Sequence, residues 1–283
     1  LDSGGYGGLT INKSVTITSP AGVYAGVSVF AGQDGIVVGA GAGKVVLRGL
    51  TINGQGGNNG IRVQAGEVHV ENVVVSSMAA AGIRVDDGTS VRVSGVAIRL
   101  NLHGLMVAPQ SSSLAVLVRD SEISGNTGEG VILGTAVSGV STQVTVERTS
   151  VTRNHSGFFL SSMPSSPAVL VLTQSVVSEN ATTGVSASTG ATAYVRDTAV
   201  TRNATGLQQQ GSGVLNACGS NLLVANGVAQ AGTINVNAAA CLDQVAGGTV
   251  TNVATGTGLT GGPITTTGTI AADTAYLQRR VSG

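Results

Sequence analysis

Tryptophan is absent, and aromatic residues supply only 2% of the chain. Large rings that anchor most interfaces are therefore scarce. Charged residues make up 10%, against about 25% in an average domain, and 14 basic side chains are balanced by 14 acidic ones. Without a basic stripe, neither nucleic acid nor an anionic membrane is expected as a partner. No stretch approaches the roughly 18 consecutive apolar residues of a spanning helix, so no membrane span is expected. Three histidines, His69, His103 and His155, stand far apart, and with two cysteines they form no metal-ligand spacing, so no metal is expected. Apolar spacing of three and four is not sustained over a dozen residues anywhere, which excludes long amphipathic helices.

What the chain does have is glycine, 43 residues of it, and a hydrophobic fraction of 42%, too high for a disordered segment. The glycines are periodic. A glycine followed by an apolar-x-apolar run begins at Gly60, Gly82, Gly104, Gly130, Gly157, Gly184 and Gly206, in steps of 22, 22, 26, 27, 27 and 22. Between them lies a second alternating run, such as Val68 to Val70, Val91 to Val93 and Val144 to Val146. A third apolar point follows at Ile52, Val75, Ile98, Ile123, Val151, Val177 and Val200. Alternation over three to five β-branched residues bounded by glycine reads as a strand. Three strands per period cannot enclose a core alone, but stacked coils about 4.8 Å apart can share one. An all-β parallel solenoid is predicted, with ladders such as Ile61, Ile83, Leu105, Val131, Phe158, Val185 and Leu207 inside. Residues 1 to 44 read as less regular early coils.

Asn101, Asn126, Asn154, Asn180 and Asn203 stand three or four residues before the strand glycine in successive coils. Asparagine tolerates the left-handed turn and can bond backbone groups, so these residues read as a structural ladder.

With coil length, three strands per coil and the asparagine ladder in view, the run from about Val45 to Val228 resembles the right-handed parallel β-helix superfamily, which includes pectate lyases, polygalacturonases and phage tailspikes. The resemblance covers roughly two thirds of the chain, is specific for fold and weak for activity. It implies a secreted or surface-exposed protein of bacterial or phage-like type. Cys218 and Cys241, 23 residues apart, are expected on neighbouring coils within disulfide reach, and secretion would permit oxidation; two buried thiols are the alternative. The β-helix is expected over 1–247. From 248 to 283 the composition shifts to Gly and Thr, similar to phage tail-fibre repeats, so a connector or a flexible linker is expected there. The start at Leu1 suggests a mature secreted form or an excised region, and a connector at the other end suggests a further domain beyond Gly283.

Alternation exposes one row on the first sheet, Arg62, Arg84, Met106, Ile132, Phe159, Ser186 and Gln208, and one on the second, His69, Arg92, Leu117, Thr145, Val171 and Tyr194. Neither row contains a carboxylate. Glycoside hydrolysis needs two carboxyl groups about 5 to 9.5 Å apart, and the best local set is Asp86 and Asp87 near Arg62 and Arg84. Asp-Asp-Gly is also a turn sequence, and the sequence signatures of pectin-cleaving relatives are missing as a set. No catalytic residues are therefore assigned. Binding candidates are Arg62, Arg84, Met106, Phe159 and Tyr194. The apolar strip Met106, Ile132 and Phe159 is expected to be covered by the turns at 109–113 and 136–142, by a partner, or by sister chains of a homotrimer. The predicted function is a non-catalytic scaffold displaying loops for adhesion or weak contact with a polysaccharide or cell-surface glycan, without cofactor. The alternative is a polysaccharide lyase or glycoside hydrolase, with Arg62, Arg84, Asp86 and Asp87 as its site and calcium as its cofactor.

Overall fold

The computed structural model describes residues 2–236, 241, 259–260 and 271–272. Two compact units divide the chain, Leu1–Cys241 and Leu242–Gly283. In the second, Leu259–Thr260 pairs antiparallel with Ala271–Ala272; the rest of the Gly/Thr-rich segment lies outside the described residues. No helix among the described residues is long and apolar enough to cross a membrane.

The first unit winds through three parallel ten-stranded sheets, here A, B and C, each coil giving one strand to each sheet in turn. Sheet A runs from Gly4–Tyr6 to Leu222–Val224, sheet B from Leu9–Ile11 to Val228–Ala231, and sheet C from Val15–Thr18 to Ile234–Asn235. The less regular start of the sequence already forms these coils. Registers follow the sequence ladders: Ile61 lies beside Ile83, Ile83 beside Leu105, Leu105 beside Val131 and Val131 beside Phe158. All five are fully buried. Because every coil presents the same inward positions, one hydrophobic column runs the length of the unit.

Two of the three corners are built from polar ladders. At the A–B corner a residue with positive φ precedes each ladder asparagine, including Leu100 (φ 59), Arg153 (φ 55) and Glu179 (φ 59). The bend turns a backbone N–H and an amide inward, and the asparagine of the next coil accepts both. Asn126 N and Nδ2 donate to Asn154 Oδ1 at 3.1 and 2.8 Å, and Asn154 does the same to Asn180 at 3.0 and 3.1 Å. The ladder runs one coil further than the five residues named above, to Asn226. The C–A corner carries a hydroxyl ladder: Thr149 N donates to Ser175 Oγ at 3.1 Å while Thr149 Oγ1 donates to Glu147 O at 2.8 Å, Ser121 and Ser175 repeat the pattern, and Thr198 ends it by donating its N–H to Asn221 Oδ1 at 3.0 Å. Its signal in sequence is a Ser or Thr two residues before the apolar points Ile123, Val151, Val177 and Val200.

The described end of the last coil is tied to its neighbour by the disulfide Cys218–Cys241, with Cα atoms 5.6 Å apart. Sheet C holds an interior position that departs from the apolar rule. Thr142 sits between Leu114 and Ala168 in a sheet C core row, 2% exposed, and its hydroxyl has no hydrogen-bond partner. Removing an unsatisfied buried hydroxyl relieves a desolvation penalty of about 1 kcal/mol or more. Thr142→Val should therefore raise the urea midpoint at unchanged slope; a lower midpoint would show that the hydroxyl is satisfied in solution.

Candidate functional site

On the outer face of sheet B, Arg62 and Arg84 stack one coil apart. Asp86 follows the second of these strands and is only 5% exposed. Its two oxygens accept from Arg62 Nε at 2.8 Å and Arg84 Nε at 2.6 Å. That hydrogen bond is the main reason the Arg62 guanidinium lies above its ordinary pKa. Arg62 Nη1 also lies 3.5 Å from Asp34, which accepts from Asn59 Nδ2 at 2.7 Å. Asp87 points elsewhere. Its Oδ1 accepts the backbone N–H groups of Gln110, Ser111 and Ser112 at 3.3, 2.9 and 3.2 Å, capping the turn of the next coil. The two neighbouring carboxylates thus do not face one gap. One is clasped between two guanidiniums, and the other organises a loop.

Sheet C carries a second cluster that a reading restricted to strand centres passes over. Period-two alternation puts Glu67, His69 and Glu71 on the same outer face. His69 Nε2 lies 2.8 Å from Glu67 Oε1, and Nδ1 lies 3.9 Å from Glu71 Oε1. Each carboxylate also meets a cation of the preceding coil, Lys44 at 3.2 Å from Glu67 and Arg48 at 2.6 Å from Glu71. The hydrogen bond from Lys44, and after it the one from His69, hold the Glu67 carboxyl below its usual range. Arg92 stacks beside His69, and Arg119 lies two coils beyond Glu71 in the neighbouring row. Neither arginine makes an ion pair among the described residues, and both line a concavity of about 240 Å³. The spacing Glu67-x-His69-x-Glu71 was the available signal. A third contact, His103 Nδ1 to Glu129 Oε2 at 2.9 Å, pairs residues of adjacent coils on sheet B. Among the described residues no group of three His, Cys, Asp or Glu could hold a metal ion.

The B–C corner has no ladder, and its length varies. The connection covers 86–89 in one coil, then 108–113, 134–141 and 161–167 in the next three, and returns to 188–190. With the remainder at the A–B corner in 125–128 and 179–182, most of the extra residues that lengthen the repeat to 26 and 27 thus collect at the B–C corner in three successive coils. They rise beside Ile132 and Phe159, leaving an open groove of about 490 Å³ whose edge is formed by Gln110, Thr135, Ala136 and Met163. The apolar strip is therefore flanked by its own turns and left half-exposed, while Met106 lies outside the groove.

A family model described as a right-handed beta helix region matches residues 34–203, more than half of the chain. The chain belongs to the right-handed β-helix family. Among solved structures, the β-helix is similar to the crystal structure of pectate lyase Pel9A, with 15% identity, a TM-score of 0.35, and coverage of 83% of this chain and 67% of that one. No curated protein matches it.

In this β-helix the five binding candidates do not converge. Arg62, Arg84, Met106 and Phe159 share the outer row of sheet B, whereas Tyr194 lies on sheet C beside Val171. Within the sheet B row, the arginines are engaged by Asp86 and only Phe159 faces the groove. Asn101, Asn126, Asn154, Asn180 and Asn203 are each 2% exposed, consistent with a structural position.

Proposed function

We propose that this β-helix is a non-catalytic scaffold, secreted or displayed at a cell or virion surface, that makes carbohydrate contact through the turns of its B–C corner. The observation that carries this reading is the collection of extra residues at one corner of three successive coils. Sheets B and C, whose far ends carry the two ladders, hold those turns, and insertions of this kind in repeat proteins gather on one face, often the binding face. The disulfide fits an oxidising compartment. Asp86 and Asp87, the carboxylates of the enzymatic alternative, are both committed to structural partners.

A second reading, a polysaccharide lyase or glycoside hydrolase, is favoured by one observation: His69, in contact with Glu67, and Glu71 stand in a concave site beside two arginines that make no ion pair among the described residues. The two readings separate in one assay. Incubation with polyuronates and neutral glycans, with and without calcium, should yield neither new reducing ends nor unsaturated products. Turnover abolished by His69→Ala, or by Asp86→Asn with Asp87→Asn, would replace the scaffold reading with the enzymatic one.

A further inference from the structure

We infer that the groove on sheet B beside the B–C corner binds an uncharged pyranoside. The inference rests on the carbohydrate-contact reading and names the ligand class for that corner. Its floor is apolar, formed by Ile132 and Phe159 on adjacent coils, about 4.8 Å apart. Its edge mixes Ala136 and Met163 with polar groups and carries no ionisable side chain: Gln110 and Ser161 supply the hydrogen-bonding groups, while the Thr135 hydroxyl is engaged by Pro109 O and Val137 N. Gln110 donates its amide to Ala108 O, while its carbonyl oxygen and the Ser161 hydroxyl have no partner among the described residues. An aromatic and aliphatic floor with unengaged polar atoms at the rim matches a molecule that has one C–H face and a hydroxyl edge.

Charge selects within that class. A carboxylate or sulfate laid on Phe159 would be desolvated against an apolar floor with no cation to compensate it, which is costly. The guanidiniums of the same row give no help, since Asp86 holds both. The volume of about 490 Å³ falls in the usual range for small-molecule sites.

The test is saturation-transfer NMR with the whole chain, using methyl glycosides of glucose, galactose and mannose beside the matching methyl uronosides. A neutral glycoside should bind with a Kd on the order of a millimolar, the scale expected for a ligand of about a dozen heavy atoms in a shallow site. Binding should weaken at least tenfold in Phe159→Ala, weaken in the exposed-residue variant Gln110→Ala, and persist in Arg92→Ala with Arg119→Ala and at high salt. Because Phe159 also contributes packing, Gln110→Ala with a melting curve separates loss of the site from loss of the fold. Neutral binding that both groove variants leave unchanged would overturn the inference. Should only uronosides bind, and depend on Arg92 and Arg119, the inference falls and the B–C corner with it, while carbohydrate contact stands on sheet C; should no sugar bind, all fall.

Discussion

Replacing Asn154 with leucine should cost about 3–5 kcal/mol of stability, a large share of the roughly 5–15 kcal/mol available to a domain. The size of the effect comes from what is left behind. Asn154 Oδ1 accepts from both Asn126 N and Asn126 Nδ2, and Asn154 Nδ2 donates to Asn180 Oδ1 and to Ile123 O at 3.2 Å. Leucine fills a similar space but strands two donors of Asn126 in the interior, each costing about 1–3 kcal/mol. Water has little access to the place of the lost partner, since Asn126, Asn154 and Asn180 are each 2% exposed. Urea unfolding followed by circular dichroism gives the measure. A shift under 1 kcal/mol would mean that the amide column is ornamental and that the corner is held by its apolar neighbours.

Gly130→Ala should be comparably damaging for a steric reason, at about 3 kcal/mol. A Cβ there would lie 2.7 Å from Val151 Cγ1, 2.8 Å from the carbonyl oxygen of Gly157 and 2.9 Å from Asn154 Nδ2. Two of these are fixed by the neighbouring coil, so the new methyl cannot be accommodated by rotating a surface side chain. Gly5→Ala is the matched control, because a Cβ there meets nothing within 4 Å. Equal midpoints for the two variants would show that the corner yields, and that the periodic glycine reflects composition more than packing.

Both predictions concern features that are plain in the sequence, and the reason is local. The glycine and the asparagine recur at a fixed offset from an apolar run, so a period count finds them. The hydroxyl ladder is equally periodic yet less conspicuous, because Ser121, Thr149, Ser175 and Thr198 alternate in type and are embedded in a chain rich in both residues. Asp86 shows the opposite case. As a neighbour of Asp87 it looks like half of a pair, but its partners are Arg62, 24 residues earlier, and Arg84, two residues earlier at the end of the preceding strand.

The candidate sites were legible only in part for a related reason. Strand alternation tells which side chains point outward, and it identified Phe159 and Arg92 as exposed rows. It does not tell which outward groups are used up by a neighbour. His69 lies between Glu67 and Glu71 on one strand, and Arg92 and Arg119 come from the next two coils. Likewise the long turns at 108–113, 134–141 and 161–167 read as three separate insertions, whereas in space they form one edge of one groove.

Sequence by itself determined the winding: three short strands per coil, the inward ladders, and the glycine and asparagine that turn the first corner. These follow from periodicities of two and of about 22 to 27 residues, which any stretch of the chain carries within itself. Tertiary structure alone decided which charges cancel, which hydroxyls are paired and where the extra residues gather. Those outcomes depend on contacts between coils, and the length of every intervening turn sets which side chain arrives beside which.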